Sequence, residues 1–319
     1  MCPKMNCSIK RNNSQSTFIG IAQSQSRVHE FDSPEGAFCS HRNAHNAIVT
    51  NELWFGEGPP DFGDSFAAKK AVKRHRQIGQ ILQRAARRER KNGSHTVAAI
   101  YLRLQKRLKE CLPGRRCGCS ACPKCARAFQ RAKVVAHLNV IANLSPSRRG
   151  KELVFVTIAP PTQARQPGDF LELNPLKANR WLRDVFDRAR IKRVVIGSID
   201  FGWEKRAGDK YLQLHWHLAI WTNNRKGLAK KLKNAFKSER WRNDSKYKQP
   251  IQVKRLKDLN VIPYMHKLIK LPKLLRSGRK ILPELCVLLG RCDSMDFLFL
   301  RKVRVSAQPD GIVFKKIKI

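Results

Sequence analysis

The chain has 319 residues, with 65 Lys and Arg against 24 Asp and Glu and a formal net charge of +41. That length supports a sizeable core and two units, and that charge repels itself in a compact fold unless a polyanion compensates it; nucleic acid is the first partner to consider and an acidic membrane surface the second. Residues 1–20 lack the apolar core of a secretory signal, and the longest apolar runs, near 285–289 and 297–300, fall far short of a membrane span, so a cytoplasmic protein with no membrane partner is expected.

Residues 1–66 read as an irregular segment, rich in Ser, Asn, Gly and Pro and broken by Gly56-Glu57-Gly58-Pro59-Pro60. Cys39, His41 and His45 are close in sequence, but solvated loop histidines are the simpler reading. A basic helical region, 67–145, follows. Its first helix, 67–91, carries an apolar stripe of Val72, Ile78, Ile81, Leu82 and Ala85 amid Lys and Arg, and Asn92-Gly93 stops it. Val97, Ile100, Tyr101, Leu104 and Leu108 line one side of a second helix, 96–110. Such faces are usually core plus solvated charge; contact with a phosphate backbone gains from the global charge, not from either helix alone.

Five of the ten cysteines crowd between Cys111 and Cys125. In a reducing compartment this favours a metal over disulfides. The Cys122-Pro123-Lys124-Cys125 knuckle lets two thiolates and backbone amides wrap one tetrahedral ion, and soft thiolates select zinc. Arg115, Arg116 and Lys124 favour the ionised thiols. The expected structural Zn²⁺ set is Cys117, Cys119, Cys122 and Cys125, with Cys111 the alternative fourth. A redox Cys-x-x-Cys lacks the preceding strand of a thioredoxin-like pattern. A helix, 126–144, continues from the knuckle.

Beyond it the pattern changes to an α+β domain, 146–275. Strand 153–159 ends at Pro160-Pro161, a linker crosses 166–168, and helix 175–190 turns Trp181, Leu182, Val185, Phe186 and Ala189 inward. Strands 193–201 and 212–221 flank a turn through Arg206-Ala207-Gly208-Asp209 as an antiparallel hairpin. A basic helix, 227–241, leads to strand 251–256 and a short helix, 261–271, with Pro263 in its first turn and Pro272 ending it. The order β-α-β-β-α-β-α predicts an antiparallel sheet of split β-α-β type with one extra helix. The C-terminal extension, 276–319, holds two unplaced strands, 297–305 and 312–319.

Alternation along Leu212-Gln213-Leu214-His215-Trp216-His217-Leu218 puts His215, His217 and Gln213 on one face, with the two imidazoles about 7 Å apart at Cα. Two imidazoles can share one divalent ion, and an oxygen ligand should come from a neighbouring strand. Asp200 closes the otherwise apolar run 194–199, where a carboxylate is unfavourable unless paired or metal-bound; Glu204 and Gln213 are the substitutes. Such a set leaves open positions on a hard ion, Mg²⁺ or Mn²⁺. Tyr264 and Lys267 share a helical face. A tyrosine oxygen can attack a phosphodiester when a metal neutralises the phosphate, and Lys267 can lower the phenol pKa or hold the phosphate.

Together these residues resemble the rolling-circle replication initiators of plasmids and phages, within the HUH endonucleases, over roughly 117–270. Residues 154–161 resemble the family's first strand motif, His215-Trp216-His217 its His-hydrophobic-His motif, Tyr264-Met265-His266-Lys267 its tyrosine helix, and 117–125 the Cys-x4-Cys-Pro-x-Cys element ahead of many plasmid initiators' catalytic domains. The resemblance implies an HUH nickase fold and a metal-dependent single-strand DNA endonuclease. It implies that Tyr264 forms a 5′-phosphotyrosine link and frees a 3′-hydroxyl, on single- and double-stranded origin DNA, with a host helicase and polymerase as partners. Leu268 stands where many relatives have a second tyrosine, which implies a single-tyrosine mechanism; Asp200 stands where plasmid relatives often have Glu. No Gly-x-x-x-x-Gly-Lys-Ser/Thr loop is present, so any helicase is a separate protein. A transposase or relaxase of the same class shares the site. From another class, a noncatalytic zinc-binding nucleic-acid protein explains the charge and the cysteines but makes the histidines and Tyr264 accidental.

Overall fold

The longest strand, β4 (Asp209–Thr222), is the axis of an antiparallel sheet. It pairs on one side with β3 (Val195–Arg206) and on the other with β1 (Glu152–Ile158). Outside these lie β5 (Ile251–Arg255), against β1, and β6 (Leu298–Arg301), against β3, while the two-residue β2 (Ala164–Arg165) pairs with the start of β4. The protein is thus α+β, as expected. The computed structural model describes residues 68–112, 115–144, 151–206, 208–237, 250–267, 281–308 and 311–317, all within the unit formed by 34–319. The segment 1–66, with Cys39, His41 and His45, lies outside the described residues.

The alternation read in β4 sorts its side chains into two layers. Leu212, Leu214, Trp216, Leu218 and Ile220 are buried on one face, joined by Val154, Val156 and Ile158 of β1 and Ile199 and Phe201 of β3. Two helices cover that face: α4 (Pro175–Arg188) and α5 (Arg225–Ala235). The Trp181 ring lies 5.9 Å from that of Trp216 and 5.7 Å from that of Phe236, and Phe186 meets Phe299 at 5.7 Å. Trp216 Nε1 donates to Asn179 Oδ1 at 2.9 Å, so the one polar atom of the buried indole is satisfied. Asn174 and Asn224 cap the two helices, accepting from Lys177 N and Gly227 N at 3.0 and 2.7 Å.

The opposite face of the sheet meets the short helix α6 (Val261–Met265). Behind α6 runs α3 (Pro123–Leu144), which is preceded by the helical hairpin of α1 (Ala68–Lys91) and α2 (His95–Lys109). Gly93, at φ +79, makes the turn between α1 and α2. A helix not expected from the sequence, α7 (Ile281–Arg291), packs against both. Its Glu284 carboxylate accepts from the backbone N–H groups of Phe170 and Gly168 at 2.8 and 2.9 Å, pinning the loop ahead of α4.

Other elements depart from expectation. The helix expected at 227–241 starts at Arg225, behind the Asn224 cap, and ends at Ala235. The one expected at 261–271 closes at Met265, and 268–280 lie outside the described residues. The strand expected at 297–305 is two strands, because Lys302 adopts a left-handed φ of 58 that breaks the run. After it, β7 (Val303–Gln308) leaves the sheet and pairs with β8 (Gly311–Lys316) as a separate ribbon. Among the described residues, no helix is long and apolar enough to cross a membrane.

Candidate functional site

Register decides which side chains meet on the second face of the sheet. Asp200 pairs directly with His215, Ser198 with His217, and Thr157 of β1 with His217 from the other side. Directly opposed residues share a face, so an acid, two imidazoles and two hydroxyls converge there. His217 Nε2 lies 3.8 Å from Asp200 Oδ2, and its Nδ1 is 3.3 Å from Thr157 Oγ1. The Phe155 ring stacks on the His217 ring at 5.6 Å. His215 Nε2 lies 3.7 Å from Glu204 Oε1, so the substitute carboxylate is beside the second imidazole. Gly202 leaves the room that the His215 ring fills: a Cβ there would sit 2.3 Å from His215 Cε1. Gln213 faces the same way, donating to the Ala159 carbonyl at 2.7 Å.

Tyr264 reaches this face from α6, and Lys267, which the sequence placed on the same helical face, reaches it from just past the helix end, behind the His266 cap. The Tyr264 ring lies 4.9 Å from the His217 ring and is 40% exposed. Lys267 Nζ lies 3.1 Å from Asp200 Oδ2 and 3.1 Å from the centre of the Tyr264 ring, so its charge spans the acid and the phenol. Burial, and then the neighbouring His217, push the His215 pKa down to about 4 against the pull of Asp200. His215 is therefore a neutral imidazole near pH 7 with a lone pair to give. Both Nε2 atoms, of His215 and of His217, are buried without a hydrogen-bond partner among the described residues, a costly state unless something else completes them.

The cysteines form a tighter centre. Cys111, Cys117, Cys122 and Cys125 bring four sulfurs within 4.8 Å of one another, and could hold a metal ion. The Sγ–Sγ distances are 3.6 Å for Cys111–Cys125, 3.6 Å for Cys117–Cys125 and 3.7 Å for Cys111–Cys122. A tetrahedron of thiolates on zinc, with Zn–S about 2.3 Å, has edges of about 3.8 Å, so the arrangement fits that ion. Here the expected ligand set needs correction: the fourth thiol is Cys111, not Cys119. Leu112 and Arg115 exchange backbone hydrogen bonds at 3.1 and 3.3 Å, and this turn folds the chain back to bring Cys111 beside Cys117. Cys119 stays outside the set, its thiol pushed up to about 11 by burial. Hydrogen bonds from Cys117, Cys122 and Cys125 hold the Cys111 thiol far below its ordinary value, while Cys125 is raised, chiefly by Cys111. Four sulfurs this close cannot all ionise without a cation among them. By contrast the donor atoms of His215, His217 and Asp200 do not all fall within the 4.8 Å that the four thiols satisfy, so the histidine site is the more open of the two.

Sequence reasoning missed a buried polar chain behind Tyr264. His266 Nδ1 lies 2.7 Å from Ser198 Oγ, and its Nε2 lies 2.9 Å from His137 Nδ1 on α3. Burial holds the His137 pKa down at about 3 and drives that of His266 well below the usual value, so both rings are neutral. Lys133, one turn before His137, is also buried and donates to the Ser294 carbonyl. The signal available in the sequence was the spacing of Gln130, Lys133 and His137, three and four residues apart along one side of the helix. No family model, curated protein or solved structure matches this chain.

Proposed function

We propose that the chain is a metal-dependent single-strand DNA nickase of the HUH type that initiates rolling-circle replication. One observation carries this reading: the Tyr264 ring lies 4.9 Å from the His217 ring, on the sheet face where two imidazole Nε2 atoms are buried without hydrogen-bond partners among the described residues. The strand order supports it, because β4 lies between β1 and β3, the two strands joined through α4. That is the order of a split β-α-β sheet. The donors of His215, His217 and Asp200 suit a hard divalent ion, Mg²⁺ or Mn²⁺, which when bound would supply Lewis-acid polarisation of the scissile phosphate.

The chain's own residues do the rest. The Tyr264 phenol oxygen attacks phosphorus: the Tyr O–P bond forms, the P–O3′ bond breaks, and the 3′-oxygen leaves as a hydroxyl while the phenol gives up its proton. The product is a 5′-phosphotyrosine link and a 3′-hydroxyl that a host polymerase can extend. The Lys267 ammonium, already against the phenol ring, favours a developing phenolate and the incoming phosphate. The thiol centre, loaded with zinc, is structural. A stripe of exposed Lys73, Arg76, Arg84, Arg87 and Lys91 along α1 offers duplex origin DNA a run of cations.

Tyr264→Phe tests the reading. With Mn²⁺ and single-stranded oligonucleotides from the neighbouring genome, the wild-type protein is expected to form a covalent adduct that survives denaturation. The variant is expected to form none while keeping salt-sensitive DNA binding. Wild-type protein that binds DNA and forms no adduct would leave a noncatalytic zinc-containing DNA-binding protein as the better description.

A further inference from the structure

The four-thiol centre and the tyrosine are joined by one helix. Cys122 and Cys125 open α3, with the Ala126 N–H bonded to the Cys122 carbonyl at 2.8 Å. Further along, Gln130 Nε2 donates to the Pro263 carbonyl at 2.8 Å, and His137 Nδ1 meets His266 Nε2 at 2.9 Å. Pro263 and His266 bracket Tyr264. Gln130 and His137 are two turns apart, so they lie on one side of α3, about 10 Å from each other. Lys133 sits between them on that side, bonded to the Ser294 carbonyl and anchoring the helix to the segment after α7. At the far end Ser198 Oγ, 2.7 Å from His266 Nδ1, ties the same imidazole to β3, two residues from Asp200.

The chain of bonds is directional. A neutral imidazole has one donor and one acceptor nitrogen, so the His266 tautomer is fixed by what Ser198 and His137 present. Replacing either end leaves a buried polar atom unpaired, which costs more than the lost bond itself.

We propose that α3 is a positioning element for the nucleophile: metal held by Cys111, Cys117, Cys122 and Cys125 fixes the start of the helix, and Gln130 and His137 hold Tyr264 in register with the histidine face. This rests on the reading of Tyr264 as nucleophile, but its structural half is testable without activity. Full-length protein labelled with 3-fluorotyrosine gives four ¹⁹F signals, one per tyrosine, and Tyr264→Phe identifies the one from position 264. Stripping the thiol-bound metal, and separately making His137→Leu and Gln130→Met at full metal content, are each expected to move that signal. The same changes are expected to slow single-turnover adduct formation, assayed with Mn²⁺ present, at least tenfold, with oligonucleotide affinity unchanged. His137→Asn, whose side-chain amide falls near the lost Nδ1, should restore most of the rate, which a purely structural role for His137 would not predict. Should His137→Leu fail to fold, Gln130→Met carries the same test. A Tyr264 signal indifferent to metal removal and to both substitutions overturns the proposal, whatever the nicking activity. A signal that moves in a protein forming no adduct sustains the coupling and removes the nickase reading instead.

Discussion

Gly202 shows how little freedom the histidine face has. A methyl group at that position would lie 2.3 Å from His215 Cε1, 2.8 Å from Nδ1 and 2.9 Å from Nε2, so the ring must move if the residue grows. Gly202→Ala is expected to lower Mn²⁺ affinity at least tenfold in titration calorimetry while the far-ultraviolet spectrum stays as in the parent. Unchanged Mn²⁺ affinity would mean that His215 is not a ligand. At this scale much was legible. A period of two fixed the common face of His215 and His217, and a carboxylate beside an apolar run pointed to Asp200, which the register then sets directly opposite His215. What was hidden depended on chain reversals or distant partners. Cys111, the alternative fourth thiol in the sequence, enters the set through a tight turn, and spacing alone does not select it over Cys119. His266 stands between Tyr264 and Lys267 in sequence, yet its significance comes from His137, 129 residues away.

The helices differ in how well their sequences declared them. Along α1 the buried apolar residues Ala71, Ile78, Leu82, Ala85 and Ala86 fall on one side of the helix, interrupted only at Arg74 and His75, and the periodicity was legible. Along α7 Leu282, Leu285, Cys286, Val287, Leu288 and Leu289 are all buried; a helix enclosed on all sides has no polar face to betray its period. The exposed side of α1 makes its own prediction. Lys73, Arg76, Arg84, Arg87 and Lys91 recur at helical spacing from 73 to 91, about 27 Å of helix. Replacing Arg76, Arg84 and Arg87 with Gln is expected to flatten the log–log dependence of duplex affinity on salt by about 0.9 for each phosphate no longer neutralised. Adduct formation on a single-stranded oligonucleotide should be unaffected. An unchanged salt slope would assign that stripe to solvent.

For the whole molecule, buried neutral histidines weaken the fold in acid, while buried Asp296, its carboxyl pushed up to about 7, acts the other way. Burial makes His137 titrate at about 3 in the fold and holds His266 well below its ordinary value, whereas the unfolded chain protonates such rings near pH 6.5, roughly the value of a free imidazole side chain. Between those values the unfolded state binds more protons, so stability is fully present above about pH 6.5 and is lost as pH falls through the window. For His137 the cost is about 1.4 kcal/mol for each pH unit traversed, and His266 acts in the same direction. Urea midpoints measured from about pH 7.5 down to about pH 4.5 should be level at first and then fall. His137→Asn should fall less steeply, because that side chain does not titrate; an identical slope would mean that His137 is not what resists protonation.

The β3–β4 hairpin closes on a two-residue connection, with Arg206 opposite Asp209 and Asp200 opposite His215. Because successive side chains of β4 serve opposite layers, the strand has a parity. Adding one residue ahead of Leu212 would turn Trp216 toward the acid and send His217 among the helices, exchanging the two layers at a stroke. Only changes of even length spare both. Natural drift or laboratory diversification of this hairpin should therefore accept lengthening in pairs and reject single steps, a rule of arithmetic imposed by geometry before any chemistry is asked of the site.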